Sequence, residues 1–584
     1  MEVFHVHLIK PTRYDDEGYP VQWWRSLIPS NSLASVAALV NEANARGVPC
    51  PNMHVHLIDE INTKVDVDKI IAQSKVPGTR VMVMLVGVQT NQFPRAIDIA
   101  SPLRAAGIPV CMGGFHVAGV IAMLGEDAPE LQLCRDLDIS MFAGEAEESR
   151  IDEVLRDGYR DALKPVYNHL KNMPALNAQP VPILPSEIVA KTANWASFDL
   201  GRGCPFECSF CTIINVQGRK SRFRDADDLE RIVRENRAIG INKFFVTDDN
   251  LARNRNWESY ADRLIELQEK EGIFVRLIIQ VDTMTHRIPG FIEKMYKAGA
   301  HVIFIGMENI NPDNLEGAKK RQNRIEEYRE MLMAWKIHGC ILVCGYILGF
   351  PHDTKASILR DVDLIKRELP IDILYLNFLT PLPGCEDHKK MQAAGAWMDP
   401  DFNKYNLGHR VSHHPKMSDK EWEEAYLEAH KRFYTFEHMS RVFNRMMQMR
   451  TNQPFTTLSH MVVYREGLLI ENVAYSEFGI GRVTHRRQRR SGMPLENPLI
   501  FYPRIAVRNI YKIARYVHSI VRLRISLARA RMRWRKGVAY TDEAIKPVEK
   551  GTVDALVAGT ADRSTAYARK RQENRIQAQL EKTG

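Results

Sequence analysis

The chain has 584 residues, 45 % hydrophobic and 26 % charged, a mixture that excludes a disordered or collagen-like polymer and, at this length, predicts two to four domains. No stretch approaches ~20 consecutive apolar residues, which argues against a spanning helix. The formal charge of +9 is unevenly placed: Lys512 to Lys536 carries nine Lys or Arg and no Asp or Glu, a run that suits nucleic acid or an anionic membrane surface.

The N-terminal Met1-Glu2-Val3-Phe4-His5-Val6 has no basic region followed by an apolar core, so it reads as a first strand rather than a secretion signal. Val3–Leu8 is that strand. Leu33–Ala45 has helical periodicity with Ser32 as a candidate cap. Val55–Ile58 is the next strand and Val67–Gln73 a weaker helix. Val81–Val88 is apolar but for Gly87, as expected of a parallel strand buried on both faces. Gln92–Ala106 then reads as a helix, with Pro109–Met112 and Ile139–Ala143 as further strands. This alternation predicts a doubly wound α/β domain over residues 1–160, with its ligand beyond the carboxyl ends of the strands. Gly87-Val88-Gln89-Thr90-Asn91 and Gly113-Gly114-Phe115-His116 follow two of those strands, where glycines allow close approach of a large ligand or simply make tight turns.

Residues 161–192, rich in Pro, Asn and small side chains, read as a connector. Residues 193–400 then offer six strands: Phe198–Gly201, Lys243–Thr247, Arg276–Gln280, His301–Gly306, Ile341–Leu348 and Ile373–Phe378. Helices fit between them at Ala226–Ala238, Trp257–Glu271, Gly290–Ala298, Ile325–His338 and Thr354–Glu368. Six such units make a partial (β/α)6 barrel, shorter than the closed eight-unit form. Cys204-Pro205-Phe206-Glu207-Cys208-Ser209-Phe210-Cys211 occupies the loop after the first strand, on the face where barrels place chemistry. A structural zinc site wants four protein ligands, and a fourth cysteine is far away in sequence: Cys134 and Cys340 are the nearest. Three thiolates on a [4Fe–4S] cluster leave one iron open to hold and reduce a small molecule, which points to an enzyme. The nine cysteines form no secreted disulfide pattern, and a thiolate cluster needs a reducing compartment, so a cytoplasmic location is expected.

Residues 401–540 read as a mainly helical domain. Asp419–Met449 is helical and rich in aromatics, which are more often core than substrate contacts. Within the basic segment, Ile513, Tyr516, Val517, Ile520, Val521, Leu523 and Leu527 supply an apolar helical face, suited either to docking on the protein or to lying on the inner face of a membrane. Residues 541–584 read as a flexible or solvated tail, with a helix near Ala566–Leu580.

Cys204-x3-Cys208-x2-Cys211, introduced by Gly201-Arg202-Gly203 and followed through Phe210, resembles the defining motif of the radical S-adenosylmethionine (SAM) superfamily. The first domain, with Gly113-Gly114 and Gly144-Glu145-Ala146-Glu147 after successive strands, resembles the cobalamin-binding domain fused to many such enzymes. The resemblance covers about the first 400 residues. It implies that Cys204, Cys208 and Cys211 ligate three irons, while SAM chelates the fourth and is cleaved to methionine and a 5′-deoxyadenosyl radical. It also implies an electron donor such as flavodoxin or ferredoxin. By the same resemblance Phe210 packs near the adenine, and Asp248, Gln280 and Glu308, at successive strand ends, contact SAM; helix capping or loop bracing is the alternative for each. Gly345-Tyr346-Ile347-Leu348-Gly349-Phe350-Pro351 resembles the later strand and turn that support the adenosyl group. Gln89, Thr90, Asn91, Gly113 and Gly114 are the cobalamin candidates. The Asp-x-His-x-x-Gly loop of several cobalamin proteins, which many radical relatives also lack, is absent, since Lys10–Gly18 contains no histidine; His5 and His7 lie inside the first strand and read as packing residues. Cys340 and Cys344 read as core thiols, and Cys385, left outside the catalytic set, is open to a role near the barrel mouth.

The leading expectation is methyl transfer to an unactivated carbon of a small or lipid-like substrate. Ring formation or rearrangement with the same cofactors is the alternative. A nucleic-acid-binding protein with a structural metal cluster is a third reading, which the basic segment supports and the three-cysteine loop does not require.

Overall fold

The computed structural model describes residues 2–451, 453–471 and 477–547. The helix expected near Ala566–Leu580 lies outside the described residues. Seven strands come first: β1 (Val3–Lys10), β2 (Gln22–Ser26), β3 (Met53–Asp59), β4 (Thr79–Leu85), β5 (Val110–Gly113), β6 (Ser140–Ala143) and β7 (Val166–Asn168). All but β2 form one parallel sheet in the order β3-β1-β4-β5-β6-β7. The last five residues of β4 are buried because helices cover both faces. Phe4, Val6 and Leu8 pack with Leu33, Ala37 and Val40 on one side. Val83 and Leu85 pack with Phe93, Ala96 and Ile99 on the other.

Three details differ from expectation. The first helix runs Asn31–Ala45 and is capped by Ser30, not Ser32, because the Ser30 side chain accepts from Leu33 N–H. Phe115–Leu124 is a helix that begins directly after the glycine pair. The expected connector supplies β7, whose Val166, Tyr167 and Asn168 pair with Met141, Phe142 and Ala143; a three-residue strand is too short to announce itself by alternation.

The second sheet contains β8 (Ala196–Phe198), β11 (Lys243–Val246), β12 (Arg276–Val281), β13 (Ala300–Glu308), β14 (Ile341–Leu348) and β15 (Ile373–Phe378). They are parallel and consecutive, giving the open six-stranded barrel. Between β8 and β11, Gly201–Arg202 (β9) and Arg222–Phe223 (β10) form a small antiparallel pair. The expected strand Phe198–Gly201 is thus split, and its second half belongs to the functional loop. Helices Ala226–Ala238 and Trp257–Glu271 lie where their periodicity predicts.

A buried ion pair ties the barrel's last strands to a covering helix. Lys336 Nζ donates to Asp372 Oδ1 (2.7 Å) and Oδ2 (2.5 Å), and Asp372 also accepts from Leu342 N–H. Removing one partner of such a pair leaves an uncompensated charge in a low-dielectric interior, whereas an apolar pair of similar volume is tolerated. Lys336→Met should therefore destabilise the protein by about 3–5 kcal/mol, and adding Asp372→Leu should recover most of that loss in the urea unfolding midpoint.

Beyond the barrel, Asp419–Phe433 and Phe436–Gln448 are separate helices, divided where Thr435 caps the second. Trp422, Tyr426 and Phe433 are core residues; Trp422 and Tyr426 meet Phe378 at the end of β15. The helical region also contains Gly479–Val483 (β16), which pairs antiparallel with β2 in the N-terminal region. Pro498–Arg535 is a 38-residue helix. No helix among the described residues is long and apolar enough to cross a membrane.

Candidate active site

The loop between β9 and β10 presents Cys204, Cys208 and Cys211. Cys208 is buried, and the other two are half-buried. Cys204 N–H donates to Gly218 C=O and Cys211 N–H to Cys208 C=O, so the backbone holds the turn. Burial pushes the Cys211 thiol up to about 12 and raises Cys204 as well. Metal binding must therefore displace the thiol protons that burial favours.

Two polar residues from the segment after β13 reach toward this loop. Gln322 Nε2 lies 3.6 Å from Cys208 Sγ. Lys320 Nζ donates to Glu308 Oε1 (2.7 Å) and lies 5.7 Å from the Phe210 ring centre. Glu308 has φ +62 beside a register shift between β13 and β14, the type of irregularity that re-aims a side chain. Phe210 also meets Phe350 edge-on at 6.2 Å. Phe350 is fixed because Asp353 accepts both Gly349 N–H (2.9 Å) and Phe350 N–H (3.0 Å). Gly349 has φ +97, and a Cβ there would fall 2.2 Å from the Trp422 ring, so only glycine fits this turn. The structure thus brings Cys208, Phe210 and Glu308 together through Lys320 and Gln322, which sequence reading missed.

Asp248 and Gln280 lie behind the loop. Asp248 accepts from Leu200 N–H (2.6 Å) and Asn254 Nδ2 (3.1 Å), and Gln280 Nε2 donates to Asp248 C=O (3.3 Å). These are bracing contacts. The neighbouring Asp249, at the same strand end, accepts from Gly203 N–H (3.0 Å). Burial pushes both aspartates up to about 7.

At the carboxyl end of the first sheet lies a cavity of ≈ 180 Å³, whose lining includes Asn31, Ser35, Gly113, Gly114, Glu145 and Gln217. Asn31 Oδ1, Ser35 Oγ and Gln217 Oε1 are buried there without a hydrogen-bond partner. Three orphaned polar atoms around one cavity fit a polar ligand, since such groups are costly to leave unpaired. Gly113 and Gly114 join this lining, but Gly114 has a different reason to be glycine: at φ +142 its Cβ would fall 2.1 Å from Val88 N. Gln89, Thr90 and Asn91 are absent from the lining. Lys10 Nζ donates to Gly87 C=O (2.8 Å). Asn91 Nδ2 donates to Glu477 Oε1 (3.1 Å), and Thr90 Oγ1 lies 3.3 Å from His116 Nδ1. Internal bonds therefore hold the side chains of Thr90 and Asn91 in place. His116 itself packs between Phe93 and Phe402.

The sequence profile of the radical SAM superfamily matches residues 199–365. The bacteriochlorophyllide d C-8(2)-methyltransferase of Chlorobaculum tepidum is 27 % identical over 62 % of this chain and 77 % of its own. The hopanoid C-2 methylase of Rhodopseudomonas palustris is 26 % identical over 37 % of this chain and 41 % of its own. The fold is similar to the radical SAM methyltransferase TsrM from Kitasatospora setae, solved with cobalamin and a [4Fe–4S] cluster, at a TM-score of 0.51 and 15 % identity, covering 68 % of this chain and 80 % of that one. Residues 199–365 thus match the radical SAM superfamily, in a chain whose fold is similar to that of a radical SAM methyltransferase.

Arg202 joins the cysteine loop to the cavity wall. Its guanidinium contacts Glu145 Oε2 (2.8 Å), Glu147 Oε1 (2.8 Å) and Asp199 Oδ2 (3.1 Å). Arg222 also donates to Glu145 (2.8 Å). Burial opposes ionisation, yet Arg202 and Arg224 hold the Asp199 carboxyl below its usual range; Arg202 does the same for Glu147. Asn31 Nδ2 crosses the same boundary to Asp199 Oδ1 (3.0 Å) and Thr247 Oγ1 (3.1 Å). Cys385, left outside the catalytic set, is fully buried and caps a helix by accepting from His388 N–H (3.3 Å). Cys340 and Cys344 are core thiols, as expected.

Proposed function

We propose that this enzyme transfers a methyl group to an unactivated carbon of a small or lipid-like substrate. The observation that carries this reading is the three-cysteine loop on the open barrel, joined by Arg202 to a cavity lined with orphaned polar atoms. Cys204, Cys208 and Cys211 would hold a [4Fe–4S] cluster, and Asn31, Ser35 and Gln217 would hydrogen-bond cobalamin. When bound, the cluster supplies the electron that opens the SAM sulfonium, and cobalamin supplies the carried methyl group. Phe210 and Phe350 would flank the adenosyl group, and the Lys320–Glu308 pair would orient its polar atoms. Asp248, Asp249 and Gln280 would keep the loop rigid, because small displacements of reacting atoms are costly in rate. Two relatives named for methylation at numbered carbons support the choice of methyl transfer.

The test is anaerobic product analysis after reconstitution with iron, sulfide and cobalamin, then addition of SAM, a strong reductant and cell extract as substrate source. Cobalamin-dependent formation of both 5′-deoxyadenosine and S-adenosylhomocysteine is expected. Formation of 5′-deoxyadenosine alone would move the assignment to cyclisation or rearrangement.

A further inference from the structure

The 38-residue helix Pro498–Arg535 is apolar on two opposite faces. Its inner face holds Phe501, Leu523, Leu527 and Ala530, all buried against the protein. Docking therefore claims only part of the apolar pattern: Ile513, Val517 and Val521 stay more than half or half exposed, at 62 %, 52 % and 50 %. Val517 and Val521 belong to the opposite side, and Ile513 flanks it. Leu499, Pro503, Val507, Ile510, Ala514, Val517, Val521, Ile525, Ala528 and Met532 recur at steps of three or four residues, which places them along one stripe of an α-helix. Every one of the ten is exposed. At 1.5 Å per residue the helix is about 57 Å long, far more apolar length than scattered surface side chains explain.

The charges identify what covers this stripe. From Pro498 to Lys536 the chain has eleven Lys or Arg and no Asp or Glu. Arg504, Arg508, Lys512 and Arg515 pair with Glu17, Glu496, Glu471 or Glu466 of the protein body. From Arg522 onward the pattern changes. Arg522 and Arg531 lie over Phe436 and Phe455, and among the described residues none of the seven cations Arg522 to Lys536 has an acidic partner within ion-pair distance. Arg524 and Arg531 flank one edge of the stripe by helical position, Arg529 and Arg533 the other. An open concavity of ≈ 830 Å³ shares Ala528 and Met532 with the stripe and is rimmed by Arg524, Arg531, Arg535 and Lys536. A second copy of this chain would bring the same cations against one another. Lipid phosphates would neutralise them while the apolar residues enter the acyl boundary.

We infer that the outer face of this helix seats the enzyme on an anionic bilayer surface, with the helix lying in the interface and not spanning it. The inference does not depend on the reaction proposed above. It is tested with the full-length chain by co-sedimentation with vesicles of phosphatidylcholine alone or phosphatidylcholine mixed with phosphatidylglycerol. Binding to the mixed vesicles, weakened by salt, is expected, with little binding to the neutral ones. Val517→Asp/Val521→Asp/Ile525→Asp should lower bound protein at least about tenfold, and Arg524→Glu/Arg531→Glu should lower it specifically on mixed vesicles. Unchanged circular dichroism and thermal unfolding of both variants separate lost binding from lost folding. Equal binding to both vesicle types, or vesicle binding untouched by either variant, overturns the inference. So does a dimer in light scattering that the aspartates split while the parent ignores vesicles, because the covering partner is then a second copy.

Discussion

Cys208→Ala is expected to reduce 5′-deoxyadenosine formation to that of enzyme-free controls and to lower the iron retained after reconstitution. The side chain is small, so removing the thiol leaves only a slight void, worth about 1 kcal/mol by cavity arguments. The fold of the metal-free chain should survive. What disappears is one of three sulfur donors, in the middle of a turn held by Cys204 N–H to Gly218 C=O and Cys211 N–H to Cys208 C=O. Two remaining thiolates cannot occupy three corners of a cluster. Cys340→Ala is the matched control: that thiol is buried too, 3.6 Å from Ala300 C=O, but in the barrel core. It should cost similar stability and leave product formation intact. Undiminished 5′-deoxyadenosine from Cys208→Ala would falsify the assignment of this loop as the cluster site.

Legibility in the sequence followed how much of each feature is local. Strands β14 and β15 and the helices Ala226–Ala238 and Trp257–Glu271 occupy the expected residues, because continuous apolar runs and 3.6-residue periodicity are written in neighbouring positions. The three cysteines are equally local. β7 and the β2–β16 pair were hidden, since short strands take their identity from partners distant in sequence; Ile480 pairs with Arg25. Side-chain roles were least legible. Gln89, Thr90 and Asn91 follow a strand just as Gly113 and Gly114 do, but Asn91 turns to Glu477, which no local pattern announces. Asn31, Ser35 and Gln217 converge on the cavity from two distant segments, and Lys320 and Gln322 reach the site from an irregular stretch after a short helix. Arg202 had a signal of sorts. It stands two residues before Cys204, yet its three carboxylate partners come from two segments about fifty residues apart.

Arg202→Met should cost about 3–5 kcal/mol, the range for removing one side of a buried ionic network. Glu145, Glu147 and Asp199 are each less than a tenth exposed, and methionine offers none of the donors they use. Arg222 would retain Glu145, and Arg224 would remain 3.8 Å from Asp199, so the loss falls most heavily on Glu147. Arg202→Lys should recover only part, because one ammonium cannot match a planar guanidinium reaching three carboxylates. The pH dependence gives a second readout. Asp199 and Glu147 have folded-state pKa values below their usual ones. Their contribution is therefore present above the unfolded-state values near 4 and is lost as pH falls through the folded-state values. The parent should lose stability on acidification through that window, and Arg202→Met should show a flatter acid limb in thermal unfolding. Because Glu145 and Glu147 line the cavity while Arg202 leads into the cysteine loop, the same substitution should weaken cobalamin retention and cluster retention together. Loss of cluster alone, with cobalamin held as in the parent, would show that Arg202 supports only its own loop and that the two sites are positioned independently.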